Sequence, residues 1–372
     1  MGLLDYYKQF DAMSDDEVKA DLREQAAERK RDALAKVESL DLSQTTWHEL
    51  PNPRVANAIT FVARRGMHRY PLDRGHELQD ELARLHGVPS NRLILGNGAA
   101  ELLGAATRAL LGAGQSLITH WPSYPLYPLM ARRASAEVVA VDGGVEALLD
   151  AARRPGARAV VIASPNDPTG ELTAASHLRW MLENLPDGVA VLLDEALVDF
   201  ADAQSTDASI ELLEQFPRLL VFRSFSKAWG LAGTRVGYAI GGPGSEALLA
   251  ELDPDLGVSE LSQAGALEAI RRCGAVVEER VRRICIERPL LTAQLRDRGF
   301  EVTDSQANFL WVSHPRFSAS QLAAELRRHG ITVASGEALG ASAHCRITLR
   351  SEKASRRLLD AIDRILAVES PS

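Results

Sequence analysis

The 372-residue chain is 46% hydrophobic and 25% charged, the balance of a soluble globular protein, and its length predicts two domains rather than one. A formal net charge of −8 offers no clustered basic face for a phosphate backbone or an anionic bilayer, which excludes nucleic acid and membrane as expected partners and leaves only local sites for small anions. Three cysteines, Cys273, Cys285 and Cys345, are odd in number and lack metal-like spacing, so a reduced compartment without a disulfide framework is expected.

In chain order, the start MGLLDYYKQFDAMSDDEV lacks the basic region and apolar core of a signal peptide, and no apolar run is long enough to span a bilayer. Cytoplasmic residence is therefore expected. Residues 14–38 begin with a Ser N-cap and an acidic first turn and then mix charges at helical spacing, predicting a solvated helix. From about residue 92 short apolar runs alternate with helical segments: RLILG, SLITHW, AEVVAV, AVVIASP, VAVLLDE, LLVFRS and RVGYAIG. Runs rich in Val, Ile and Leu without polar alternation predict strands buried on both faces of a mostly parallel sheet. Beyond about residue 255 the pattern turns helical, and shorter strands are predicted in NFLWVSH, GITVAS and CRITLR. The expected organisation is an N-terminal arm over 1–50 that joins the small domain, a large α/β domain over 51–255, and a smaller α+β domain over 256–372.

Ligands of open α/β sheets gather beyond the carboxyl ends of the strands, so the residues that follow each run are the site candidates. After RLILG, a glycine turn opens into a small-residue helix, and the backbone N–H groups of Ala99 and Ala100 could hold an anion. After SLITHW comes Tyr124, an aromatic face for a planar ligand or simply a core tyrosine. After AVVIA the polar turn SPNDPTG holds Asn166 and Asp167, and after VAVLL the carboxylate of Asp194 ends an apolar strand, where it needs a cationic or hydrogen-bonding partner. LLVFRS places Ser224, Ser226 and Lys227 past a strand end, with Arg235 eight residues beyond the lysine. Burial would depress the lysine's pKa and make it an amine nucleophile, and two hydroxyls with a guanidinium can hold a dianion. The alternative is a surface lysine in a turn. His48, His68, His76 and His120 are scattered without metal spacing, so no metal site is expected.

The motifs RYPLDRG, GNGAAEL, PSYPLY, SPNDPTG, DEALVDF, SFSKAWGLAGTRVG and CRIT occur in one order over about residues 40–365, and this pattern resembles the fold-type I pyridoxal-phosphate enzymes. Within them it is most similar to class I/II aminotransferases of the histidinol-phosphate aminotransferase branch. The resemblance implies a three-layer, mostly parallel sheet with a smaller α+β domain, pyridoxal 5′-phosphate as cofactor, and transfer of an amino group between an amino acid or related amine and a 2-oxo acid. It implies that Lys227 forms the internal aldimine and moves the substrate Cα proton, and that Asp194 pairs with the pyridinium nitrogen. Ser224, Ser226, Arg235 and the backbone of Ala99 and Ala100 would hold the phosphate, and Tyr124 would stack on the ring. Tyr70 would reach the phosphate of a second subunit, implying a homodimer with shared sites. Arg346 would clamp the substrate's carboxylate.

Three departures from the family pattern bear on substrate and outcome. The cofactor's O3′ donor before PTG is usually Asn, and here Asp167 stands there with Asn166 one position earlier; the Tyr usual three residues after the pyridinium Asp is Leu197. With both donors altered, the Lys227 aldimine is expected to hold its proton to higher pH unless Asn166 or Asp167 substitutes. Ala334 occupies the place after the GITV strand where histidinol-phosphate aminotransferases carry a second anion-binding arginine; Arg350 is a possible replacement or a plain surface charge. Three readings follow: an aminotransferase; a decarboxylase, lyase or oxidase on the same cofactor; or a non-catalytic binding protein, which the joint presence of Lys227, Asp194 and Arg235 disfavours.

Overall fold

The computed structural model describes residues 39–71 and 75–367, so the helix expected over 14–38 and part of RYPLDRG lie outside the described residues. In chain order the chain forms β1 (Leu40–Asp41), α1 (Pro53–Gly66), α2 (His76–His86), β2 (Leu93–Gly96), α3 (Ala99–Leu110), β3 (Ser116–His120), α4 (Leu126–Arg133), β4 (Glu137–Val141), α5 (Val145–Ala152), β5 (Ala157–Ala163), α6 (Ala175–Asn184), β6 (Ala190–Asp194), β7 (Leu219–Ser224) and β8 (Gly237–Gly241). There follow α7 (Glu246–Leu252), α8 (Glu260–Arg272), α9 (Gly274–Arg296), β9 (Glu301–Val302), β10 (Phe309–Ser313), α10 (Ala319–Arg328), β11 (Ile331–Thr332), β12 (Ala334–Ser335), β13 (His344–Thr348) and α11 (Glu352–Ala367).

The seven apolar runs become one seven-stranded sheet in the order β2-β8-β7-β6-β5-β3-β4, in which only β8 runs against its neighbours. Successive side chains of a strand face opposite ways, so each run feeds two cores. Val160, Ile162, Val191, Leu193 and Val221 pack against α5 and α6, whereas Ala159, Val161, Leu192, Leu220 and Phe222 pack against α3, α4 and α7. Helices on both faces give the three layers and explain why the central runs are apolar throughout. β4 differs from the expectation: it is the edge strand, and its residues are half-buried or exposed because one side has no neighbouring strand.

The second sheet is antiparallel, in the order β12-β13-β10-β9, and packs with α9, α10 and α11. A capping box between Ser318 and Gln321 starts α10. GITVAS does not form one strand. Its first half, β11, pairs in parallel with β1, and its second half, β12, pairs with β13, the chain turning at buried Val333. β1 and β11 thus form a two-stranded sheet of their own, tied to β13 where the Thr348 N–H donates to Leu42 O at 2.9 Å, and Thr45 beyond it accepts from Lys227. Helix α8 packs its Ala266 and Ala269, with Cys273 just beyond its end, into the large-sheet core, whereas α9 contributes Val277, Ile284, Leu291 and Leu295 to the core of the second sheet. Among the described residues no helix is long and apolar enough to cross a membrane.

Candidate active site

The carboxyl ends of β5, β6 and β7 and the start of α3 enclose a cavity of about 210 Å³. Ala99, Ala100, Tyr124, Asp167, Asp194, Ser224, Ser226, Lys227 and Arg235 all line it, so candidates read from five separate runs meet in one site. Asn166 does not line this cavity.

One end suits an anion. Gly98 turns into α3 at φ 92°, and a Cβ placed on it would lie 2.5 Å from Arg235 Nη2. A Cβ on Gly237 would lie 2.3 Å from the Ala99 nitrogen. The two glycines thus let β8, the guanidinium and the helix N-terminus close on one another. Arg235 itself sits at φ 55°, a left-handed conformation that costs a non-glycine residue about 1 kcal/mol. Its guanidinium donates to Ala232 O at 3.0 Å and Asn97 O at 3.4 Å, which aims it across the mouth of α3. Ser224 Oγ accepts from the Ser226 N–H at 3.1 Å, and both serines line the cavity.

The floor holds Asp194 and Lys227. Tyr127 donates its hydroxyl to Asp194 Oδ2 at 2.9 Å, and the Ala196 N–H reaches Oδ1 at 3.1 Å. Burial still pushes the carboxyl above its ordinary pKa, against the pull of those donors and of Lys227, so a cation on the cavity side would complete its neutralisation. Burial also lowers the Lys227 pKa; the Asp167 carboxylate opposes that shift, the Arg346 guanidinium adds to it, and Asp194 opposes it again. A lowered pKa makes the amine a readier nucleophile than an exposed lysine. Lys227 is the only lysine between Lys36 and Lys353. Tyr124 forms one wall, edge-on to Tyr127 at a centroid distance of 5.5 Å, with Ala196 and Leu197 also lining the cavity.

At the opposite end the residues arrange themselves differently from the sequence expectation. Asn166 is held in its own loop: Ser123 Oγ donates to its Oδ1 at 2.7 Å, and its Nδ2 donates to Pro122 O at 3.1 Å and Thr169 Oγ1 at 2.9 Å. Its amide is thus fully engaged within the loop, away from the cavity lining. Arg346 is not on the cavity wall. Its Nη1 donates to Asp167 Oδ1 and its Nη2 to Ser43 O at 3.0 Å, and its guanidinium carbon lies 5.4 Å from the Phe309 ring centroid. A carboxylate of this chain thus occupies the fork expected to clamp substrate. Ala334 is the strand partner of Arg346, so the position of the family's second arginine adjoins the clamp and carries only a methyl group. Arg350 lies within electrostatic reach of Asp41 and does not line the cavity. Tyr70 stands 75% exposed, outside the cavity.

Several residues of the site went unread in the sequence. Lys227 Nζ donates to Thr45 Oγ1, whose own backbone carbonyl accepts from Asn308 Nδ2 at 2.9 Å. Arg280, buried on α9, donates to Ala228 O and Trp229 O, both at 3.1 Å, and its guanidinium carbon lies 5.0 Å from the Trp47 ring centroid. It therefore links the turn after Lys227 to the segment that carries Thr45. Tyr127 had a signal, being the second tyrosine of PSYPLY. Thr45 and Arg280 had none, because their partners are distant in sequence.

The family model for aminotransferase class I and II matches residues 38–362. A histidinol-phosphate aminotransferase of Gluconacetobacter diazotrophicus is 34% identical over 85% of this chain and 88% of its own. An aromatic amino acid aminotransferase of Mycobacteroides abscessus is also 34% identical, over 73% of this chain and 78% of its own. Among solved structures, the histidinol-phosphate aminotransferase of Sinorhizobium meliloti in complex with pyridoxal-5′-phosphate superposes with a TM-score of 0.79 at 25% identity, covering 91% of this chain and 94% of that one. Two relatives of equal identity carry different substrate names, so relatedness alone does not select the substrate, but the match spans the cavity and both sheets, and the chain belongs to the class I and II aminotransferases.

Proposed function

We propose that the chain is a pyridoxal-phosphate-dependent aminotransferase that moves an amino group between an amine or amino acid and a 2-oxo acid. The observation that carries this reading is the junction on the floor: a lone buried lysine with a lowered pKa beside a buried carboxylate that lacks a full counter-charge. The fit to the cofactor is supported at both its poles. Arg235, Ser224, Ser226 and the N-terminus of α3 suit its phosphate, and Asp194, held by Tyr127, suits a protonated ring nitrogen.

When bound, pyridoxal phosphate supplies a carbonyl that condenses with amines and a ring that accepts electrons from the adjoining carbon. The chain supplies the rest. Lys227 Nζ would provide the amine that holds the cofactor and would carry the proton to and from the substrate Cα. Asp194, oriented by Tyr127 and Ala196, keeps the ring nitrogen charged. Tyr124 and Ala196 would border the planar ligand, and Thr45 Oγ1 accepts from the free lysine amine.

Finer features belong to the same proposal. The exposed Tyr70 fits a residue that would reach the site of a second subunit in a homodimer, and cytoplasmic work in amino-acid metabolism is proposed with it. The packing of α8 with the large sheet supports a division of domains near Gly274 instead of residue 255, with the arm ending near residue 50. Half-reaction screening tests the function: holoenzyme mixed with single amines should convert to its amine-bearing cofactor form, with release of the corresponding carbonyl compound. Release of carbon dioxide, ammonia or peroxide in its place would contradict it and move the assignment to a decarboxylase, lyase or oxidase.

A further inference from the structure

Arg280 is a buried cation whose hydrogen bonds go to backbone carbonyls. It stands on α9 at 4% exposure, and its Nη1 donates to Ala228 O and Trp229 O, both at 3.1 Å. Glu49, the carboxylate that acts on its charge, is bonded to Arg283 Nη1 at 2.9 Å and to Trp47 Nε1 at 3.0 Å. Arg280 Nε is buried without a hydrogen-bond partner. A guanidinium taken out of water on these terms costs stability, so stability does not account for its presence. Its contacts instead form a ring around one side chain. The Gly230 N–H closes a turn onto Lys227 O at 3.0 Å, and Arg280 takes the next two carbonyls of that turn. Gly230, at φ 72°, makes room: a Cβ there would lie 2.8 Å from Arg280 Nη1 and 3.5 Å from Trp47 Cβ. The guanidinium carbon lies 5.0 Å from the Trp47 ring centroid, on the segment whose Thr45 Oγ1 accepts from Lys227 Nζ. One guanidinium therefore touches both the backbone at the root of the lysine and the segment that meets its tip. Val277 and Ile284, about one turn to either side of Arg280, pack in the core of the second sheet, which fixes where the guanidinium stands.

We propose that Arg280 is a positioning residue for Lys227: it holds the root of the lysine and the acceptor of its amine in one fixed relation, so that Nζ meets the carbonyl of the cofactor in a reactive orientation. This rests on the aminotransferase reading and goes beyond it, giving a role to a residue outside the cavity. Lysine has a long, flexible stem, and a misplacement of about 1 Å at a reacting atom can cost on the order of a hundredfold in rate. Arg288 supplies a matched control on the same helix. It is likewise 4% exposed, and its Nη1 donates to two backbone carbonyls, Phe200 O at 2.9 Å and Ala307 O at 3.1 Å, neither of which belongs to the turn of the lysine.

The test compares the full chain, freed of cofactor, as wild type, Arg280→Met and Arg288→Met. Two probes separate positioning from folding. Pyridoxal phosphate must be captured by the lysine amine, and the rate is followed by the lysine-dependent absorbance band. 4′-Deoxypyridoxine 5′-phosphate lacks the carbonyl, so calorimetry of its binding reads the shape of the cavity alone. Arg280→Met should slow capture by about tenfold or more and leave the affinity for the deoxy compound within about twofold of wild type, whereas Arg288→Met should leave both unchanged. Capture at the wild-type rate in Arg280→Met, an equal loss with both probes, or an equally slow capture in Arg288→Met would each overturn the inference. Where Arg280→Met does not fold, Arg280→Lys is compared with Arg288→Lys by the same criteria, since an ammonium does not reproduce the planar guanidinium between the two carbonyls and the Trp47 ring. These failures are distinct from failure of the aminotransferase reading, in which the wild type itself would form no lysine-dependent band.

Discussion

The two ends of the cavity are built in contrasting ways. The anion-binding end takes Ser224, Ser226 and Arg235 from one stretch of twelve residues and adds the start of α3, two strands away through β8. The opposite end is assembled from residue 43 to residue 346: Ser43 and Thr45 from the segment after β1, Asp167 from the turn after β5, Asn308 before β10 and Arg346 from β13. The first end is closed by close backbone approach at glycines, which tolerates no added atom. The second is closed by side-chain hydrogen bonds, which can be remade. On the proposed function, cofactor binding would be set by local chain geometry and choice of substrate by how the two sheets and the 42–49 segment meet, which makes the two mechanically separable.

Substitutions can be aimed at one end, at the other, or at the junction between them. The largest effect is expected at the junction: Lys227→Ala should lower turnover by about 10²–10⁴-fold, read as steady-state rate, because it removes both the covalent anchor and the proton carrier. Gly98→Ala attacks the local end alone. The new Cβ would strike Arg235 and sit at φ 92°, costing about 1–3 kcal/mol, so cofactor affinity measured by fluorescence titration should fall roughly tenfold or more while the substrate preference of the loaded enzyme stays the same. Asn308→Ala attacks the assembled end. Loss of the bond to Thr45 O should cost about 1 kcal/mol, speed hydrogen exchange in residues 42–47 and raise KM, with cofactor affinity unchanged.

The smallest effect concerns a residue behind the floor. Burial pushes the Asp199 carboxyl up to about 6, with Glu195 and Asp207 adding to the shift and Arg223 opposing it. The folded protein therefore holds that proton to higher pH than the unfolded chain does. The stability this contributes is complete below the unfolded value of 3.8 and lost as pH rises through 6. Asp199→Asn should accordingly be more stable than the wild type at pH 8, by on the order of 1 kcal/mol after solvent screening, and the difference should vanish near pH 4. Thermal melts across that range measure it, and neither end of the cavity should respond.

The same contrast explains what could be read from sequence. All seven strands of the large sheet were legible, because a buried parallel strand leaves an uninterrupted apolar run, and residues just past five of those runs line one cavity. Lys227, Asp194 and Arg235 stand out for that reason, each being a charge close to an apolar stretch. The splitting of GITVAS between two sheets was not legible, since two-residue strands leave no periodicity and only the pairing of β1 reveals it. Arg346 was visible as a residue but not as an occupied one: nothing local in CRIT or SPNDPTG states that the two turn toward each other across 179 positions. Thr45 and Arg280 were invisible for the same reason.

The decisive experiment is borohydride reduction of the protein reconstituted with pyridoxal phosphate, followed by peptide mass mapping. Six lysines are present, at 8, 19, 30, 36, 227 and 353, so the position of a trapped cofactor is unambiguous. Lys227 alone should be labelled, stoichiometrically, and the label should vanish in Lys227→Ala. Labelling spread over the other lysines, or none at Lys227, would contradict the placement of the cofactor on this floor.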